Sequence, residues 1–286
     1  MPRLAGVILA FVVLFMPAPS QGAPDSELWA YWEANDAAST VTVNHGPWDQ
    51  FLIKYVFQRD DGINRLAYGN VLFYDRDALD KYIVSLAAVT VTKLNRDEQM
   101  AYWFNLYNAL TVQVILDAYP VSTIRDIDIS PGLFSDGPWG AALIEVEGRA
   151  LSLDDIEHRI LRPIWKDPRI HYAVSCAALG CPNIGTAAFQ ADKLEEYLDF
   201  SARAYINNPR AVRVESGALI LSSLYKWYAD DFGGGDEALL RHLTAYADPA
   251  LAATLSATTT ISGYEYDWGL NDVAPSIKDR LTKRGS

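Results

Sequence analysis

Soft and imidazole ligands are scarce in this chain: 286 residues contain two cysteines, three methionines and four histidines. Two cysteines cannot build a disulfide-rich scaffold, and a four-ligand zinc site would need histidines less scattered than His45, His158, His171 and His242. No metal and no cofactor is expected. Basic residues are also few, with 24 Lys and Arg against 36 Asp and Glu and a formal charge of -12. A phosphate-binding surface needs clustered cations, so no nucleic-acid partner is expected. The glycines at 233–235 lack the Lys-Ser/Thr of a phosphate cradle, no Gly-x-Ser-x-Gly elbow occurs, and there is neither repeat nor low-complexity tract. Long apolar runs are absent as well: the one at Leu4–Phe15 covers 12 residues, short of the ~20 that cross a bilayer.

What the chain does have is apolar bulk. Half of it is hydrophobic and 12% aromatic, enough for a sizeable core and too much for disorder. Arg3, the Leu4–Phe15 run and the small, turn-prone residues from Pro17 to Ala23 read as a signal peptide over 1–23. The expectation is export to the periplasm or medium, with a membrane anchor only if the signal stays uncleaved. One domain is expected over 24–275, followed by a basic tail at 276–286.

Periodicity predicts short helices over Ser26–Asn35, Pro47–Phe57 and Asp75–Leu86, the last capped by Asp75, with His45 a surface or capping residue before the second. The longest helix is predicted from Asn95 or Asp97 to about Ala118, ended by Pro120. Its middle is apolar nearly all round, which predicts a central, buried element. Asn105 and Asn108 share one face of it. A buried carboxamide without partners costs about 1–3 kcal/mol, so both must either hold backbone or point into a polar cavity.

Leu143–Val146 and Ala150–Leu151 predict a hairpin, and Ser152 with Asp155 the capping box of a helix that stops before Pro163. On that helix His158 has Asp154 one turn behind and Arg162 one turn ahead, either an oriented imidazole or an ordinary ion pair on a solvated face. Arg169–Ser175 predicts a strand, Ala191–Asn207 an amphipathic helix, and Ala211–Val214 with Ala218–Leu221 a second hairpin. Glu237–Tyr246 and Pro249–Leu255 predict terminal helices, and Thr258–Ile261 a last strand. The fold class expected is α+β: a mainly helical single domain around a small, largely antiparallel sheet.

Both cysteines fall in the stretch HYAVSCAALGCPNI, from His171 to Ile184. They could form a bridge worth on the order of 2 kcal/mol, or Cys176 could be a nucleophile at a strand end. A nucleophilic thiol needs an imidazole or helix N-terminus nearby. On a regular strand His171 would sit about 17 Å from Cys176 and on the opposite face, which leaves His158 as the expected base. Asp154, Glu157 or Asn105 would fix its ring, and Cys181 could be a resolving thiol or disulfide partner.

The motifs WFNLYNALT (Trp103–Thr111), LSLDDIEHRILR (Leu151–Arg162), IHYAVSCAALGCP (Ile170–Pro182) and YKWYADDFG (Tyr225–Gly233) resemble, in this order, the DUF547 family, a domain of unknown function. The resemblance runs from about His45 to Asn271. It implies that Asn105, Asn108, Glu157, His158, Arg162, His171 and Cys176 sit at motif positions. Plant members tend to have serine at the position of Cys181, which demotes that residue. A Cys-His pair is similar in kind to papain-like and transglutaminase-like sites, although the order Asn105, His158, Cys176 is not theirs. The expected function is a cysteine-dependent hydrolase or acyltransferase on a peptide, amide or thioester. Cys176, His158, Asn105 and Glu157 would be catalytic, and Asn108, Arg162 and His171 would hold a small-molecule or peptide substrate. Thiol redox chemistry through Cys176 and Cys181, and ligand binding without chemistry, are the alternatives.

Overall fold

The apolar helix anticipated after Asn95 is the axis of the molecule. In a computed structural model describing residues 23–132, 136–257 and 260–273, it has all but five of its residues buried. The signal-peptide reading and the basic tail lie outside those residues. In chain order the elements before it are a 3₁₀ turn (Ala30–Glu33), α1 (Gly46–Tyr55), the paired strands β1 (Val56–Phe57) and β2 (Arg65–Leu66), and α2 (Phe73–Ala87). The axis is α3 (Arg96–Ala118), capped by Asn95, whose side chain accepts the Glu98 N–H. Then come β3 (Ile144–Val146) and β4 (Arg149–Leu151), a π-helical run (Asp155–Leu161) continuing into α4 (Arg162–Trp165), and α5 (Ile170–Ala173). The rest comprises α6 (Leu194–Ile206), β5 (Val212–Glu215), β6 (Ala218–Ser222), α7 (Leu224–Trp227), α8 (Asp236–Tyr246), α9 (Pro249–Ser256) and β7 (Gly263–Glu265).

The class is α+β and mainly helical, as the periodicity implied. The single sheet divides into three: two antiparallel hairpins, and a β5-β6-β7 sheet in which β6 and β7 run parallel. Strands of two to five residues pair locally, and helices fill the space between them.

Several polar side chains of α3 hold neighbouring backbone. Gln99 donates to the Ala34 and Val91 carbonyls, Glu98 accepts the Val43 N–H, and the Tyr102 hydroxyl donates to the Leu86 carbonyl. Asn105 donates to and accepts from Phe189, and Asn108 bridges the Ala173 carbonyl and the Ser175 N–H, all at 2.9 Å. Both carboxamides are therefore satisfied by backbone. A second apolar cluster, built on Tyr172, Tyr205, Leu221, Tyr225, Phe232 and Leu243, packs α6, α8 and the mixed sheet; Ala173 belongs to the first core and Tyr172 to the second. The chain around Cys176 thus runs between the two.

Four local expectations change. The first helix shrinks to the 3₁₀ turn, and α2 starts before Asp75, with Leu72 at its cap. The Ser152 helix passes through Pro163 to Trp165, because a wide π turn shifts the hydrogen-bond register around a residue that has no N–H to give. Arg169–Ser175 is not a strand. Asp167 caps the chain by accepting the Arg169 N–H, and a single helical turn follows at Ile170–Ala173.

Candidate functional site

Asn108 fixes the backbone on both sides of Val174, so the chain leaves α5 extended and reaches Cys176 in a set position. Ala177 then takes φ +60, a left-handed conformation that L side chains rarely adopt. That reversal sends residues 177–180 against the C-terminal segment. Leu179 N–H donates to Gly269 O at 2.7 Å, Gly180 N–H to Asp267 O at 2.8 Å, and Asn271 N–H to Ala177 O at 2.9 Å. A Cβ on Gly180 would meet Asp267 N at 2.7 Å, which explains glycine there.

The reversal brings the two cysteines together. Both are free thiols, Cys176 partly exposed and Cys181 buried. The Cys176 N–H points at Cys181 Sγ, 2.8 Å away, and Cys176 Sγ lies 3.1 Å from the Tyr266 hydroxyl. Burial and the neighbouring Cys181 push the Cys176 thiol well up, so it rests protonated. Burial opposes ionisation of Cys181 too, but the Cys176 thiol and N–H, the Tyr266 hydroxyl and the Arg210 charge outweigh it and pull Cys181 below the usual thiol range. Trp227, Tyr266, Trp268 and Trp139 form a partly exposed aromatic rim beside the thiol, with ring centroids 4.7–5.8 Å apart along the series.

Next to the thiols lies a buried charge cluster. Glu157 and His158 come from the π-helical run, a type of turn frequent at functional sites. Arg162 grips Asp231 with Nε and Nη2 at 2.6 and 3.1 Å, and its Nη1 meets His158 Nδ1 at 3.1 Å. His158 Nε2 faces Asp154 at 3.5 Å. His171 Nε2 bonds Asp231 at 2.7 Å, its Nδ1 faces Glu157 at 3.6 Å, and its ring stacks on Tyr228 at 3.9 Å. Tyr107 donates to Glu157 at 3.1 Å. Burial alone would raise the Glu157 pKa, yet the two imidazoles and the Tyr228 hydroxyl bring it down to about 2. Asp231 is held well below the carboxylate range against the same burial, by His171 and Arg162.

The expected site residues thus divide into two groups. Glu157, His158, Arg162 and His171 converge, with Asp154 on the rim. Asn105 bonds Phe189 and no imidazole, while Asn108 holds the Cys176 loop. Among the described residues neither imidazole hydrogen-bonds Cys176, and His158 has both ring nitrogens turned toward Arg162 and Asp154. His171 lies on a helical turn, so the strand spacing of about 17 Å does not separate it from Cys176. The connection from the cluster to the thiol is aromatic instead: Tyr107 and Tyr228 touch Glu157 and are close enough for a Cys176 thiolate to raise their pKa further. His45, expected as a surface or capping residue, stands at the N-cap position of α1 but is buried at 2% exposure, its ring bonding Tyr82 at 2.7 Å; burial lowers its pKa to about 4.

Sequence reasoning passed over Tyr107, Arg210, Tyr228, Asp231 and Tyr266. Asp231 and Tyr228 stood in the motif YKWYADDFG, where only the aromatic character was read. Two cavities, about 280 Å³ beside Asn183 and Tyr205 and about 860 Å³ beside Tyr82 and Lys93, lie away from Cys176. Among the described residues no three His, Cys, Asp or Glu side chains converge as metal ligands, and no helix is long and apolar enough to cross a membrane.

Residues 91–206 match the family model described as "Protein of unknown function, DUF547". The match is narrower than the resemblance read from the motifs, and leaves out Arg210, Tyr228, Asp231 and Tyr266. No curated protein and no solved structure matches the chain.

Proposed function

We propose that the protein is a cysteine-dependent acyl-transfer enzyme, a hydrolase or acyltransferase, in which Cys176 attacks the carbonyl of a peptide, amide or thioester. The observation that supports this best is the placement of Cys176. Cys176, a residue of intermediate exposure, sits beside a reversed backbone, its sulfur touched by a phenolic hydroxyl and backed by a cluster of strongly perturbed acids, and perturbed titratable groups gather at functional sites. As the C–S bond forms, the thiol proton passes to a base beside the sulfur, which returns it to the leaving group when that bond breaks, and in between the carbonyl oxygen carries the charge. Tyr266, the hydroxyl nearest the sulfur, is the donor suited to that oxyanion. Glu157, His158, Arg162, His171 and Asp231 act behind Tyr228, holding its ring and hydroxyl beside the thiol. The aromatic rim receives the substrate, a small molecule or peptide. In this reading the chain is exported and works in the periplasm or medium.

The test is acylation by p-nitrophenyl acetate followed by intact-mass analysis and peptide mapping. A stoichiometric acetyl adduct on Cys176, lost in Cys176→Ala, is the expected result. An adduct of equal rate in Cys176→Ala, or none in the native protein, removes the proposal. A second reading, thiol redox chemistry, is favoured by the contact between the Cys176 N–H and Cys181 Sγ. Equilibration with glutathione buffers distinguishes it: a reversible 176–181 disulfide supports redox use, and thiols that stay free under oxidised glutathione exclude it.

A further inference from the structure

Arg210 sits behind Cys181 in an unusual environment for a guanidinium. Its Nη1 donates to the Leu179 carbonyl at 3.0 Å and its Nη2 to Asn183 Oδ1 at 2.8 Å, so it spans the chain on both sides of Cys181. Its plane lies against the Tyr205 ring at 5.3 Å, and its Nε is buried with no acceptor. No carboxylate among the described residues comes within ion-pair distance of it. Asp61, a carboxylate whose charge acts on it, is paired with Arg65 at 2.6 Å. A desolvated cation favours a counter-charge; besides Asp61, Tyr205, Cys181 and Tyr266 act on Arg210, and of these three the thiol is the most acidic type and lies in the stretch of chain that its two hydrogen bonds span. Cys181 Sγ is itself arranged to carry negative charge: it receives the Cys176 N–H at 2.8 Å, and the Tyr266 hydroxyl stands beside both sulfurs.

We propose that Cys181 is the internal base of the site, kept as a thiolate by Arg210, and that it takes the proton of Cys176 when Cys176 attacks. This rests on the reading of Cys176 as nucleophile. The pair then holds one proton between two sulfurs. As Cys176 Sγ forms its bond to the carbonyl carbon, its proton passes to Cys181 Sγ. When the bond to the leaving group breaks, Cys181 returns that proton to the departing nitrogen, oxygen or sulfur. Water, or an acceptor nucleophile, later attacks the Cys176 thioester and delivers its proton to Cys181, which passes it to the Cys176 sulfur as that sulfur is expelled, so the pair again holds one proton. Cys181 is thus part of the machinery, and the work expected of His158 falls to the sulfur five positions after Cys176. Arg210 is a positioning residue, acting only through Cys181.

The two cysteines are the only ones in the chain, so ultraviolet thiolate absorbance can be titrated cleanly in full-length protein, with Cys176→Ala/Cys181→Ala as the blank. Cys176→Ala isolates Cys181 without its thiol partner but with the residue-176 N–H, Tyr266 and Arg210 in place, and its midpoint is the reference. Adding Arg210→Met should raise that midpoint by roughly 1–3 pH units, the usual effect of one opposite charge at close range, whereas Arg210→Lys should restore most of the shift. If Arg210→Met does not fold, Asn183→Ala, which frees Nη2, must move the midpoint in the same direction. A midpoint that ignores folded Arg210→Met, or both substitutions, overturns the ion pair. The base role is read separately: Cys181→Ser should slow acetylation of Cys176 at neutral pH at least tenfold and shift its rate profile to higher pH. An unchanged profile overturns that role. The titration uses no substrate, so it can succeed where acylation of Cys176 fails, and the two proposals fall independently.

Discussion

Asn108 is the side chain on which the position of Cys176 depends, and its contribution can be worked out. It is 3% exposed and makes two hydrogen bonds of 2.9 Å, to the Ala173 carbonyl and from the Ser175 N–H, whose residues are 3% and 2% exposed. Each bond contributes about 1 kcal/mol net, and each backbone group left buried without a partner costs about 1–3 kcal/mol. Asn108→Ala should therefore lose about 2–6 kcal/mol in urea unfolding followed by tryptophan fluorescence, with an unchanged m-value. Asn105→Ala, which breaks two similar bonds to Phe189, should lose a similar amount. The two should differ in the thiol: Asn108→Ala frees the chain ahead of Cys176 and should speed its alkylation by iodoacetamide, and Asn105→Ala should not. Asn108→Asp adds a control, since its carboxylate still accepts from Ser175 but repels the Ala173 carbonyl. It should be at least as unstable as the alanine variant at neutral pH and recover on acidification, when the protonated acid can donate again. Losses under about 1 kcal/mol for both alanine variants, or equal thiol reactivity in the two, would refute the reasoning.

Glu157 couples stability to pH. Its folded pKa of about 2 lies below its ordinary 4.5, so its ionised form stabilises the fold above pH 4.5, and that contribution, about 3 kcal/mol at 1.36 kcal/mol per unit, is lost as pH falls toward 2. Glu157→Gln should lower stability at pH 7 and flatten this acid limb in urea titrations at stepped pH; an acid limb identical to the native one would exclude the assignment. Ala177→Gly should raise the thermal midpoint, because it relieves about 1 kcal/mol of left-handed strain; a lower midpoint would show that Ala177 is unstrained. Gly180→Ala should destabilise by about 1–3 kcal/mol through the Cβ contact with Asp267 and expose Cys176 to alkylation; native stability would contradict that contact.

The parts of the fold that were legible are those carried by local chemistry. The capping box at Ser152 and Asp155 forms with bonds of 2.8–3.0 Å, the Glu147-Gly148 turn closes its hairpin with positive φ at both residues, and α3 spans nearly its anticipated length. Legibility ended where a long-range partner decides the outcome. The alternation of Ile170, Tyr172 and Val174 is real, but the Asp167 cap and Asn108 turn it into one helical turn and an extended step, so a period of two was the wrong template. His158 and His171 were visible as imidazoles, whereas their acid, Asp231, lies 60 residues beyond His171. Cys181 was set aside because serine can stand there in relatives. A sulfur's position relative to Arg210 cannot be read from spacing, because α6 and a loop have to fold before the guanidinium arrives.

The bonds between residues 177–180 and the segment 267–271 also order events in time. Ribosomes add about 5–20 residues per second, so the 90 positions separating Cys181 from Asn271 take on the order of ten seconds to make. Both thiols leave the ribosome well before Tyr266, Asp267 and Gly269 exist to hold them. A chain that stops short of residue 271 therefore carries both cysteines without this full set of contacts, and the pairing of the 177–180 loop with its partner segment exists only once that segment has been made.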